Sequence, residues 1–127
     1  MASTSSPYVQ PGVIVRLREL QPPSPFLQLS GTFRVMGRLM SYDIETGMAI
    51  ICDEDGTSLP VCTQHIRNLQ FRTNSLFQFI GELSSQPHQE MYLQARVGRN
   101  VDGIDVKLYN RALELRRKFE AKFKLDT

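Results

Sequence analysis

The chain contains no tryptophan, and only two cysteines and two histidines stand among its 127 residues. Two cysteines make a poor disulfide framework, so Cys52 and Cys62 read as reduced thiols. A structural zinc site wants four ligands at paired spacing. Cys62 and His65 stand three apart, but Cys52 lies one strand away and His88 falls in a different hairpin, so no metal is predicted. No apolar run approaches the ~20 residues needed to cross a bilayer. The opening MASTSSPYVQPG has neither the charged start nor the apolar middle of a signal peptide, and the expectation is an intracellular protein. No serine, histidine and acid arrangement stands out, nor any phosphate-binding glycine loop, so neither catalysis nor a cofactor is predicted. Neither sign of charge dominates. Fifteen Lys and Arg against 13 Asp and Glu leave +2, too little to argue for nucleic acid by itself.

What is present is an ordinary globular balance, 41% apolar and 22% charged, in a length that suits one domain with an appendage. Residues 1–12 are expected to form a flexible N-terminal tail. Residues 13–104 are expected to form the folded body with an N-terminal extension, and 105–127 a terminal helix. Within the extension, GVIVRLREL suits a short strand or a helical turn. The connector QPPSPFLQLSG is stiffened by proline and brings Phe26 and Leu27 against the body.

The body alternates like a sheet. TFRVMGRLMSYD (32–43) predicts a first long strand with Phe33, Val35 and Leu39 on one face and Arg34, Met36, Arg38, Met40 and Tyr42 on the other. DIETG closes a hairpin into MAIIC, and DEDG leads into TSLPVC, where Pro60 marks an edge or a gap in pairing. Asp53, Glu54 and Asp55 lack the spacing of a calcium loop and read as turn residues. In 63–75 the alternation breaks, and Thr63 is a candidate cap for a single helical turn around His65 to Leu69. LFQFIGEL and MYLQARVGR supply the fourth and fifth strands, the latter with Met91, Leu93, Ala95 and Val97 inward. Gly37 and Gly81 sit where large residues are expected, which predicts strands that bend sharply. Three strands, a short helix and two strands make this a mainly β chain. Its layout is that of a five-stranded Greek-key barrel of the oligonucleotide/oligosaccharide-binding (OB) type with a long C-terminal helix.

That helix, capped by Asp105, carries the most specific pattern. Leu108, Ala112, Leu115, Phe119 and Phe123 are spaced 4, 3, 4 and 4 apart and form one stripe. Val106, Tyr109 and Leu113 form a second patch, rotated by roughly a quarter to a third of a turn. One face suffices to dock on the barrel, so two faces predict a grip by the barrel and by a partner. A helix folded wholly back onto its own domain is the other reading. The basic residues Arg111, Arg116, Arg117, Lys118, Lys122 and Lys124 read as a solvated face or a nucleic-acid contact. Arg34, Arg38, Tyr42, Tyr92 and Arg96 offer cations and rings on the outer wall. They read as a single-strand-binding surface, a solvated wall or a protein contact.

The segments FRVMGRLMSYD, VCTQHIRNLQFRTNSLFQFIGEL and LQARVGRNVDGIDVKLY together resemble the Ten-one family, the small OB-fold subunit of the CST telomere-maintenance complex, with plant-type members nearest. The resemblance implies a noncatalytic nuclear protein of the telomeric region that heterodimerises with the Stn subunit. In a trimer with Ctc it would bind single-stranded telomeric DNA and support C-strand fill-in by DNA polymerase alpha-primase. It further implies that Arg34 and Phe119 meet the partner. Phe123 stands where some members carry a basic residue, so the resemblance implies that this contact is either not carried over or apolar. The alternatives are a small OB subunit of a replication protein A-like trimer and a self-sufficient single-strand binder.

Overall fold

The structure, a computed structural model, describes residues 12–21, 31–84 and 90–126, with side chains to residue 122. Phe26, Leu27, His88, the side chains of Phe123 and Lys124, and nearly all of the expected tail lie outside the described residues. The elements are strand β1 (Val13–Ile14), a 3-10 turn (Leu17–Leu20), and strands β2 (Phe33–Asp43), β3 (Met48–Cys52), β4 (Ser58–Cys62), β5 (Leu76–Ser84) and β6 (Tyr92–Asn100). Helix α1 (Val106–Asp126) completes the set. The extension thus supplies both a short strand and a helical turn.

Strands β2 to β6 close a barrel in the order β2-β3-β4-β6-β5, with β5 returning to β2 and β1 added in parallel on the outside of β2. The β4–β6 contact is parallel, and its described register covers only Val61 with Leu93 and Cys62 with Gln94. Pro60, which has no N–H to donate, sits just before this short seam.

Strand β2 serves both halves of the barrel. Its Phe33 to Arg38 pair with β5 and its Arg38 to Asp43 with β3. Gly37 lies at that changeover, where a Cβ would stand 3.0 Å from Ile51 Cβ and 3.2 Å from Cys52 N. Gly81 answers a harder constraint. The β5–β6 ladder shifts register between Ile80 and Gly81, and a Cβ at Gly81 would lie 2.1 Å from the Gln94 carbonyl oxygen. Only glycine allows the two backbones to approach this closely.

Inside lie Phe33, Val35, Leu39, Ala49, Ile51, Leu59, Val61, Phe77, Phe79, Leu93 and Ala95. Leu17 and Leu20, fully buried, close the barrel beside the 53–58 hairpin, where Gln21 reaches the Ser58 carbonyl. Ile66, Leu69 and Phe71 pack on the core from the segment that follows β4.

Three expectations are corrected. Residues 63–75 form turns and no helix. Thr63 does start one hydrogen-bonded turn, Ile66 N to Thr63 O at 2.9 Å, but its hydroxyl donates to Gly47 O at 2.6 Å instead of capping. Tyr42 turns inward and stacks on Phe71, ring centroids 4.6 Å apart, because the β2–β3 register shifts between Leu39 and Ser41. Val97 faces outward, 40% exposed and paired with Ile80, because of the shift at Gly81. A one-residue slip reverses every side chain beyond it.

Gly81→Ala is expected to destabilise the barrel by on the order of 3 kcal/mol or more, and Gly37→Ala by about 1 kcal/mol, since a Cβ at Gly81 would lie 2.1 Å from backbone whereas the contacts at Gly37, at 3.0 and 3.2 Å, need only a small shift. Denaturant midpoints at unchanged slope measure both, and equal losses would contradict this account.

Candidate partner interface

Helix α1 begins where the chain is pinned to β5. Leu76 N donates to Asp102 Oδ1 at 2.7 Å and Val101 N to Leu76 O at 2.8 Å. The Leu76 N–H in particular holds the Asp102 carboxyl below the usual carboxylate range. Asp105 then caps the helix as its sequence position predicts. Its Oδ1 accepts from Leu108 N at 3.0 Å and its carbonyl from Tyr109 N at 2.9 Å.

One side of α1 meets the barrel. Leu113 is buried, Val106 and Tyr109 are half-buried, and the Tyr109 hydroxyl accepts from Gln78 Nε2 at 3.4 Å. Gln78, itself buried in β5, accepts in turn from Arg99 Nε at 2.9 Å. Arg117 anchors the helix further along. It lies about 160° round from the midline of the apolar stripe at about 100° per residue. Its guanidinium donates to Glu19 and, at 2.6 Å, to the Ile14 carbonyl. The other Glu19 oxygen accepts from Arg16 N at 2.9 Å, and the Arg16 guanidinium holds Asp53 Oδ2 at 3.0 and 3.2 Å. A chain of alternating charge therefore runs from the 53–57 turn, through the 3-10 turn, to the helix.

The other side faces outward. Leu108 is 64% exposed, Leu115 51% and Phe119 63%, with Ala112 exposed between them. Fully burying such side chains is worth about 1.5 to 3 kcal/mol each. The second patch, Val106, Tyr109 and Leu113, is the one that docks, and the stripe is the one presented. Arg34 is half-buried on the outer wall, opposite Ile80 and next to Ile14, the residue whose carbonyl receives Arg117. Among the positions assigned to the partner, the structure therefore brings Arg34 one strand spacing from a helix anchor.

The wall set is not brought together in the same way. Arg38 is level with Leu76 and Tyr92 with Ser84, opposite ends of β5, roughly 26 Å apart at strand rise. Arg38 donates to Asn74 O at 2.7 Å, and Arg96 is held by Glu82, which raises its pKa further. Tyr42 is inside. Among the described residues, no three His, Cys, Asp or Glu side chains gather as a metal site. Sequence reasoning missed the anchors Gln78, Glu19 and Arg117. The spacing of Arg117 four residues after Leu113 was the available signal for that residue, but nothing marked Glu19 as its partner.

Comparison with known proteins agrees with this architecture. The family model described as "Telomere-capping, CST complex subunit" matches residues 8–123. The CST complex subunit TEN1 of Arabidopsis thaliana is 47% identical over 112 residues, 87% of each chain. Among solved structures, a chain of the S. pombe Stn1–Ten1 complex superposes with a TM-score of 0.68, covering 86% of this chain and 94% of that one at 14% identity. The telomere capping protein Ten1 of the same yeast superposes with a TM-score of 0.67, covering 84% and 98% at 14% identity. At such identity these two establish the shared fold, a closed five-stranded OB barrel with one C-terminal helix. The match across nearly the whole chain and the close plant relative establish the family: this chain belongs to the telomere-capping CST complex subunits.

Proposed function

We propose that the protein is a noncatalytic scaffold subunit of the CST complex that heterodimerises with Stn through the outward stripe of α1, with Arg34 at the edge of the contact. In the trimer with Ctc it contributes to single-stranded telomeric DNA binding, end protection and C-strand fill-in by DNA polymerase alpha-primase, in the nucleus at telomeres. The observation that carries this reading is the two-sided helix. Its inner side is already satisfied by Leu113, Tyr109 and Arg117, while Leu108, Leu115 and Phe119 stay more than half exposed. An apolar row of this kind, rimmed by charge, is the surface that a partner covers. The S. pombe structure that pairs a Stn1 with a Ten1 chain supports Stn as that partner. A self-sufficient single-strand binder is not favoured, because Arg96 is committed to Glu82 and Tyr42 to Phe71.

Leu115→Glu with Phe119→Glu is expected to lower affinity for the Stn subunit at least 100-fold in a pull-down or calorimetric titration, with the circular dichroism of the free chain unchanged. Retained pairing would overturn the proposal. Arg117→Gln removes charge-assisted bonds that are partly exposed and is expected to weaken helix docking by on the order of 1 kcal/mol. Amide exchange over residues 114–122 should quicken while the strands keep their protection, and unchanged exchange in the helix would exclude the anchoring role.

A further inference from the structure

Four cations of α1 share one flank. At about 100° per residue, Lys107, Arg111, Lys118 and Lys122 lie about 60° to 120° round from the midline of the stripe, on the side away from Tyr109 and Arg116. They span about 22 Å of helix. All four are exposed, and none has an ion-pair partner among the described residues. Glu114 is the acidic residue nearest this row and lies further still from the stripe. The opposite flank is neutralised, since Arg116 pairs with Glu120 at 2.9 Å.

Any helix that covers Leu108, Leu115 and Phe119 must run along this row. Residues at the edges of a helix–helix seam face the flank of the partner, where opposite charges set choice and orientation. Resting on the reading that α1 is the Stn interface, we propose that the Stn element seated on the stripe is a helix with an acidic row facing Lys107, Arg111, Lys118 and Lys122. The pairing guides encounter and fixes the direction of the partner helix, since among the described residues only one flank carries a row of unpaired cations. Exposed ion pairs add little to affinity, so the effect falls on the association rate. Single-stranded nucleic acid is the less suited occupant of this flank: a phosphate backbone would leave the adjoining Leu108 and Leu115 uncovered.

The test uses the full chain, the cognate Stn subunit and stopped-flow association at about 50 and about 500 mM salt, a range over which screening shortens from ~14 to ~4 Å. The variant is Lys107→Glu, Arg111→Glu, Lys118→Glu and Lys122→Glu together, with Lys107→Gln and Lys118→Gln as a milder second. For the native chain the rate should fall at least tenfold with salt. At low salt the fourfold variant should associate at least tenfold more slowly and lose that salt dependence, while dissociation changes less than threefold. The milder variant should lose about threefold, and both should keep the native circular dichroism.

A fourfold variant that associates at the native rate overturns the inference. So does one that pairs normally but lets the assembled complex lose an oligonucleotide, which would make the row a nucleic-acid surface. The Leu115→Glu, Phe119→Glu chain runs in parallel. If that chain still pairs, the stripe itself is not the interface and the parent reading fails. If it does not pair while the fourfold variant behaves as native, only the acidic-row inference fails.

Discussion

Helix α1 meets the barrel along one side because its anchors are confined to one side. Asp105 fixes where the helix starts, Leu113 and Tyr109 seat its first half on the outer wall, and Arg117 reaches back to Glu19 and the Ile14 carbonyl. These contacts set the rotation of the helix about its own axis. With that rotation fixed, Leu108, Leu115 and Phe119 point outward together, and the row of cations falls on the flank away from the barrel. Exposed leucines on an unanchored helix would roll toward the nearest apolar surface, since burial of each is favourable. A docked helix holds them out.

The anchoring depends in turn on the N-terminal extension. Strand β1 places the Ile14 carbonyl beside β2, and the 3-10 turn places Glu19, while its fully buried Leu17 and Leu20 close one end of the barrel. Arg16 ties the same turn to Asp53, a pair whose side chains are only 14% and 9% exposed. A chain segment that fills the core therefore also orients the helix. The barrel and the docked helix share parts, which is how so small a fold holds an apolar stripe outward.

Much of this architecture was legible from local pattern. The alternation of apolar and polar residues located five strands, the two misplaced glycines announced bent strands, and Pro60 marked a weak seam. The Asp105 cap and both apolar faces of α1 were readable as well, because capping and helical spacing are properties of neighbours in sequence. Two of the failures had one physical reason. Bulges between Leu39 and Ser41 and between Ile80 and Gly81 each reverse the parity of the strand beyond them, so Tyr42 went in and Val97 went out. Alternation read along one strand cannot register an extra residue that exists only relative to its partner strand. The missing helix in 63–75 has a different cause, since Thr63 had the right chemistry for a cap and found Gly47 instead.

The sequence by itself determined that α1 would have two apolar faces, because helical periodicity depends on spacing alone. Which face docks and which is presented was decided only in three dimensions. Leu113 is buried, Tyr109 had Gln78, and Arg117 had Glu19, a residue on a turn at the far end of the chain. Gln78 comes from β5 and Glu19 from the 3-10 turn, so both reach the helix only through the tertiary fold. A choice between two faces of similar greasiness is settled by what lies opposite them, and that is information a linear pattern does not hold.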